Sequence, residues 1–174
     1  MNGLKLRIGR VDRRILHALA LRRHRCVTLA FRTASRLGDP PVLAGVAGLL
    51  LLGAVPDAGA VGRHAAFALI VSHLVSQLLK RAVSRPRPTL PIGLGSVIEP
   101  PDRFSFPSGH ASATLSVALP LFLALPPAAG VPILLLALVV GISRCYLGVH
   151  YPGDVLVGWA LGALAVASTG LLLA

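Results

Sequence analysis

Five apolar stretches, at about residues 42–55, 61–80, 109–125, 131–149 and 154–173, constrain this chain more than any other feature of it. A helix needs about 20 residues to cross the hydrocarbon core of a bilayer. Several of the stretches meet that length and the first is marginal. Only 13% of the residues are charged and 55% are hydrophobic, and the mean hydropathy is +0.77. A water-soluble domain of 174 residues needs more polar surface than this. In lipid every backbone polar group must be satisfied within the fold. The expected fold is therefore all-α: a polytopic membrane helical bundle of about five spanning helices.

The segment ahead of the spans differs in kind. Ten of the seventeen Lys and Arg residues lie within residues 1–36. Residues 11–21 and 26–37 read as short amphipathic helices, the first with Val11, Ile15, Leu16 and Leu19 on one side, the second interrupted by Arg32 and Arg36. Neither is apolar enough to span, so both are placed at the membrane interface. A basic arm can bind nucleic acid, but in a membrane-bound chain it is better matched to anionic headgroups. No nucleic-acid partner is expected. No signal peptide is apparent, because Asp12, Arg13 and Arg14 interrupt the basic start. Gly38-Asp39-Pro40-Pro41 breaks the chain, and the division expected is a basic interfacial segment over 1–40 and a transmembrane bundle over 41–174.

Three polar blocks punctuate the spans: Lys80-x6-Arg87-Pro88, then Pro107-Ser108-Gly109-His110, then Ser143-Arg144-x5-His150-x3-Asp154. Lys80 and Arg87 close the second span and Pro107–His110 open the third. Ser143-Arg144 close the fourth and His150–Asp154 open the fifth. If each stretch crosses once, all of them reach the same membrane face. The connection over residues 81–108, rich in proline and glycine, is long enough to be a lid or the wall of an entrance.

These residue types form a kit for phosphate chemistry. Lys80, Arg87 and Arg144 supply charge for phosphate oxygens, each arginine offering paired donors. Ser108 and Gly109 stand where a helix begins, a place that favours anions, and glycine lets the main chain come close. His150 and Asp154 are four apart, on one face if Pro152 starts the helix. A carboxylate so placed can hold one imidazole nitrogen and leave the other to attack phosphorus. His110, on another helix, is left to protonate the departing alcohol. Arg81 and Arg85 are read as headgroup anchors.

All eleven residues of the three blocks match the pattern of the type 2 phosphatidate phosphatase superfamily, which the chain resembles over roughly residues 42–170. That resemblance implies a membrane lipid-phosphate phosphatase with His150 as the nucleophile of a phosphohistidine intermediate, Asp154 supporting it and His110 as general acid. It implies phosphate binding by Lys80, Arg87, Arg144, Ser108 and the Gly109 amide, with no metal and no cofactor. The substrate class includes polyprenyl-linked phosphates or pyrophosphates, phosphatidate and phosphatidylglycerophosphate. The chain departs from the family's usual six spans at its start, and short bacterial members of this type are similar to phosphatases of decaprenylphosphoryl phosphoribose. A soluble vanadate-dependent haloperoxidase shares the blocks but not the apolar spans. A silent lipid-binding scaffold would not need every reactive position intact.

The family's sites face the outside of the cytoplasmic membrane. With five spans the arginine-rich start shares that face, against the positive-inside tendency. A sixth crossing through residues 15–37 would carry Arg22–Arg25 into lipid. Five spans with interfacial N-terminal helices are therefore expected. Smaller signals complete the reading. Gly158-x3-Gly162 is a helix-packing motif. His73, Ser76, Gln77 and Lys80 form a polar stripe facing the bundle interior, with His73 about 10 Å below Lys80. Trp159, Tyr146 and Tyr151 are candidate interfacial anchors, His17, His24 and His64 are expected at the interface, and Pro120 should kink its span. Cys26 and Cys145 match no metal spacing and are expected to be inert.

Overall fold

The computed structural model describes residues 2–54 and 58–173, with side chains described for 9–54 and 58–172. Every expected apolar stretch forms a helix: α3 (Pro40–Leu51), α4 (Gly59–Val83), α5 (Gly109–Ala124), α6 (Pro127–Tyr146) and α7 (Pro152–Leu173). Ahead of them lie α1 (Asn2–Leu21) and α2 (Arg25–Leu37), the first longer than expected. Among the described residues the only strand-like pairing is an isolated bridge between Pro86 and Phe104. Residue 55, the end of the first apolar stretch, and the side chains of Lys5 and Arg7 fall outside the described set.

Three helices, α4, α6 and α7, are long and apolar enough to cross a membrane. The protein is an integral membrane protein of the all-α class expected. α3 and α5 have 12 and 16 residues, about 18 and 24 Å at helical rise, short of a hydrocarbon core of about 30 Å. The causes are local. Just past α3, Gly53 turns the chain at φ 77°, and Pro126 follows the last residues of α5. α5 tolerates its length because it is the central helix, enclosed by α4, α6 and α7. Every residue from His110 to Ala118 is buried, so this helix meets protein rather than lipid. Pro120 sits inside it without ending it.

Small residues let the helices close around α5. A Cβ on Gly158 would lie 2.6 Å from the Ser108 carbonyl oxygen, and one on Gly162 would lie 2.7 Å from that of Ser112. The Gly158-x3-Gly162 pair is thus the seam between α7 and α5. On the opposite side serines zip α4 to α5: Ser116 Oγ donates to Ser72 Oγ at 2.8 Å and Ser76 Oγ to Ser112 Oγ at 3.4 Å. His64 bridges α4 to the Val166 carbonyl of α7 at 2.8 Å, a packing contact rather than an interfacial one.

The two N-terminal helices lie against the ends of α6 and α7 that carry the polar blocks. α1 turns Asp12, Leu16 and Ala20 inward, while Val11 and Ile15 are exposed. The inward face is therefore rotated from the Val11–Ile15–Leu16–Leu19 face expected, because burying Asp12 against the bundle sets the helix's rotation. The aromatics also differ from expectation. Tyr146 and Tyr151 are buried. Tyr146 accepts from the His24 amide at 2.9 Å and packs against Phe31, the rings tilted at 55° with centroids 4.8 Å apart. Trp159 fills the notch left by Gly141, whose missing Cβ would lie 2.5 Å from the indole. These rings bind the protein together instead of marking a lipid boundary.

Candidate active site

The ends of α4 and α6 and the starts of α5 and α7 converge, and the three blocks meet there. Gly148 makes the convergence possible at the end of α6. Its φ of 84° suits glycine, and a Cβ would strike the Arg23 guanidinium at 2.7 Å and Leu90 at 2.9 Å. The turn sends Val149 and His150 back beneath the site, where His150 is buried at 1% exposure.

His150 is held in one tautomer by its neighbours. Arg87 Nη1 lies 2.9 Å from Nε2, and a guanidinium can only donate. Nε2 therefore accepts and carries the free lone pair, leaving the ring proton on Nδ1. Asp154 Oδ2 stands 3.7 Å from Nδ1, beyond hydrogen-bonding distance, and Nδ1 has no other partner. Burial, with the charges of Arg87 and Arg144, lowers the His150 pKa to about 4 against the opposing pull of Asp154. The imidazole is neutral near pH 7, the form in which a nitrogen can act as a nucleophile.

Behind it runs a chain of charged groups that the sequence reading did not foresee. Asp154, wholly buried, accepts from the Tyr151 amide at 2.9 Å and from Arg85 Nη1 at 2.7 Å. Arg85 Nη2 reaches Asp12 Oδ2 at 2.7 Å, and Asp12 Oδ1 accepts from the Gly153 amide at 2.9 Å. The guanidinium also lies 4.1 Å above the Tyr151 ring. Burial opposes its charge, but Asp12 and Asp154 outweigh it and the Arg85 pKa is raised. Arg85 is thus no headgroup anchor. It follows an αL residue, Ser84 at φ 49°, that turns the chain out of α4 into an extended run, and Arg85 and Arg87 both point back to the bundle.

On the opposite side of His150, Lys80 and Arg87 share one acid. Lys80 Nζ pairs with Asp102 Oδ2, and Arg87 Nη2 donates to Asp102 Oδ1 at 2.7 Å. Burial raises the Asp102 pKa, yet the hydrogen bond and charge of Lys80, with those of Arg87, hold it below the usual carboxylate range. Asp102 belongs to the 84–108 connection, which is pinned by Ser105 N to the Arg85 carbonyl and by Val97 N to the Leu147 carbonyl, both at 2.9 Å.

His110, in the first turn of α5, donates from Nε2 to Asp39 Oδ1 at 2.9 Å. Gly38 permits this, since a Cβ there would lie 3.1 Å from the His110 ring and 2.6 Å from Val140. Arg144 is buried at 2% exposure, donates to Ser35 Oγ at 2.6 Å, and keeps Nε without a partner. Ser108 caps α5 by accepting from the Ala111 amide, and its own amide is committed to the Asp154 carbonyl at 2.9 Å. The helix-start amides that remain are those of Gly109 and His110, and Gly109 has open space around its α-carbon.

Lys80, Asp102, Gly109, His110 and His150 all border one cavity of about 600 Å³. Its far wall is apolar, formed by Ala44, Leu69, Ile70 and Leu74 from α3 and α4. His73 and Gln77 line the same wall; His73 is exposed at the cavity side instead of buried in the bundle interior. Arg144 borders a neighbouring cavity on the other side of His110. The arrangement offers a neutral nitrogen lone pair, a second histidine, an apolar cleft and clustered cations.

Known proteins resemble this chain in sequence and in fold. A decaprenylphosphoryl-5-phosphoribose phosphatase of Mycobacterium tuberculosis is 43% identical over 94 residues, covering 53% of this chain and 50% of that protein. The matched region thus spans about half the length of that relative. The enzyme of the same name from Mycolicibacterium smegmatis is 34% identical over 141 residues, covering 72% of this chain and 76% of its own. The crystal structure of a transmembrane PAP2 type phosphatidylglycerolphosphate phosphatase from Bacillus subtilis superposes with a TM-score of 0.77 at 26% identity, covering 99% of this chain and 87% of that one. Residues 62–172, more than half of the chain, match the PAP2 superfamily, and the chain belongs to that superfamily.

Proposed function

We propose that the protein hydrolyses a lipid phosphate by a phosphohistidine mechanism without a metal, the lipid being of the polyprenyl-linked, phosphatidate or phosphatidylglycerophosphate class. The observation that carries this reading is the tautomer of His150: Nε2 accepts from Arg87 and faces the cations, while Nδ1 faces Asp154. A phosphate entering the cavity displaces the Asp102 carboxylate from Lys80 and Arg87 and meets the Gly109 amide, with Arg144 and Ser108 completing its surroundings. Freed from Arg87, Nε2 attacks phosphorus. The ester P–O bond breaks, and His110, entering the step as an imidazolium paired with Asp39, gives a proton to the departing alcohol oxygen and becomes neutral. Water then attacks the phosphohistidine, His110 takes up the water proton, the P–N bond breaks and inorganic phosphate leaves. Asp154 closes on Nδ1–H as positive charge develops on the ring, a tightening expected between the free and reacting states.

The lipid tail fits the apolar wall between α3 and α4, which puts the phosphate at the polar end of the bundle. The names of the mycobacterial relatives support an isoprenoid tail. We place the protein in the cytoplasmic membrane with the site on the non-cytoplasmic face and residues 1–40 at the interface. Reporter fusions at the C-terminus should lie opposite the 84–108 connection; finding both on one side would overturn this topology. The activity itself is tested by phosphate release from a panel of isoprenoid and glycerolipid phosphates in the presence of chelator. Release by the native protein and not by His150→Ala is expected. Equal release by both would sink the mechanism.

A further inference from the structure

Gly38-Asp39-Pro40-Pro41 breaks the chain between α2 and α3, and it does so beside the candidate site. The segment lies outside residues 62–172, the region matched to the superfamily. Asp39 is the N-cap residue of α3. In that position an aspartate side chain ordinarily accepts from the amide of the second or third helical residue. Here it caps nothing. Pro40 and Pro41 have no amide proton to give, and the Val42 and Leu43 amides go to the Asp39 carbonyl instead, at 3.0 and 3.2 Å. The carboxylate is left for another donor.

That donor is His110, whose Nε2 meets Asp39 Oδ1 at 2.9 Å. Among the described residues no other carboxylate lies at ion-pair distance from this ring. Gly38 sets the approach: a Cβ there would lie 2.6 Å from Val140, and 3.1 Å from both Thr114 and the Cδ2 edge of the His110 ring. The Asp39 amide donates to the Arg36 carbonyl at 3.1 Å, which fixes the backbone that carries the acid. The opposite edge of the ring is free. Nδ1 makes no hydrogen bond among the described residues and is not one of their buried unpartnered atoms, so solvent reaches it. Lys80 of α4 and Arg144 of α6 face His110 and oppose a positive charge on it, and Asp39 offsets them. An imidazolium carries a proton on each nitrogen. With the Nε2 proton held by Asp39, the one left to give is on Nδ1.

We infer that Asp39 is the positioning residue of the departure step, orienting His110 so that its Nδ1 proton is the one delivered to the leaving oxygen. The inference rests on the phosphatase reading above and assigns the donating atom and its support. As the ester P–O bond breaks, its electron pair stays with the alcohol oxygen. The Nδ1 proton joins that oxygen, and His110 ends neutral with Nε2–H still on Asp39. The attacking water later returns a proton to Nδ1.

The native protein, Asp39→Asn, His110→Gln and the double variant are compared in detergent on two esters. One is the lipid phosphate of the panel above that the native protein hydrolyses fastest, and the other is 4-nitrophenyl phosphate. The quantity compared is kcat/KM, which refers the first transition state to free protein and free substrate. A general acid contributes about 10²–10⁴-fold, and one without its orienting partner keeps part of that. Asp39→Asn should therefore lower kcat/KM about 30-fold on the lipid phosphate and less than about threefold on 4-nitrophenyl phosphate, whose stable phenolate leaves without a proton. In the His110→Gln background the same substitution should cost less than about twofold, because residues that act as one unit do not add. Asp39 is 45% exposed, and such a pair adds little to stability, so the unfolding temperature should match that of the native protein. Equal losses on both esters, a full further loss beside His110→Gln, or no loss at all would overturn the inference and leave the phosphatase reading standing. If the native protein releases phosphate from no lipid of the panel, the phosphatase reading fails and the inference falls with it.

Discussion

The two sides of the site are built on opposite plans. Behind His150 the charges are enclosed: Asp154 is 0% exposed and its partner Arg85 is 23% exposed, closed in turn by buried Asp12. In front of it the acids are accessible. Asp102, on Lys80 and Arg87, is 36% exposed, and Asp39, on His110, is 45% exposed. A buried ion pair that loses one partner leaves a costly uncompensated charge, whereas an exposed carboxylate is readily exchanged for water or another anion. The enclosed half fixes the surroundings of His150, the proposed nucleophile. The open half holds Lys80 and Arg87 against an accessible carboxylate, the exchange for phosphate being part of the proposed mechanism.

The strongest way to probe this contrast is at His150, the proposed nucleophile. His150→Ala should lower kcat by about 10⁴-fold or more, as removal of a nucleophile does in other covalent mechanisms, with the unfolding temperature nearly unchanged. Arg85→Ala comes next. It should destabilise the protein by about 3 kcal/mol through the stranded Asp12 and Asp154 and cut kcat by about 100-fold, measured by thermal unfolding in detergent beside turnover. A headgroup anchor would lose almost nothing, so a wild-type Arg85→Ala enzyme would erase the contrast. Asp102→Asn should act in the other direction: KM and the inhibition constant for inorganic phosphate should both fall by about three- to tenfold, because the competing carboxylate loses its charge. A higher KM would make Asp102 part of the binding surface instead of a displaceable partner.

The smallest expected change is an absence of titration. With a pKa of about 4, against 6.5 ordinarily, the His150 ring should remain the neutral Nδ1–H tautomer from pH 7.5 to 5 in nitrogen spectra of histidine-labelled protein. The sign for stability follows. Between about 6.5 and 4 the unfolded chain binds a proton at this residue that the folded one excludes, so His150 contributes stability above that window that is lost as pH falls through it. Protonation near pH 6.5 would mean that the pocket is wetter than its burial implies.

The helices and the convergence of the blocks were legible because both rest on local rules. Apolar runs of span length alternate in direction, so the end of one and the start of the next share a face. Lys80, Gly109, Arg144 and Asp154 followed from that alternation. Asp12, Asp39, Arg85 and Asp102 did not, since their partners lie elsewhere in the sequence and no periodicity links Asp12 to Gly153 or Asp39 to His110. A compositional signal was available. The chain has only six acidic residues against seventeen Lys and Arg, and four of the six, Asp12, Asp39, Asp102 and Asp154, contact cations or histidines of this site. Where acids are scarce, each is a candidate partner. The aromatic residues misled for the converse reason: tyrosine and tryptophan suit a lipid boundary and a tight internal contact equally well, and only the notch at Gly141 and the amide of His24 decide between them.

The contact between Asp12 and Arg85 also bears on how the protein can be handled. A truncation beginning at residue 40 would keep all eleven motif residues and every long apolar helix, yet remove the acid that closes the buried chain behind Asp154, together with Ser35 on Arg144. Shortened or N-terminally fused versions should therefore be judged by unfolding temperature as well as by turnover. In this protein the first forty residues are a poor place for an engineer to cut.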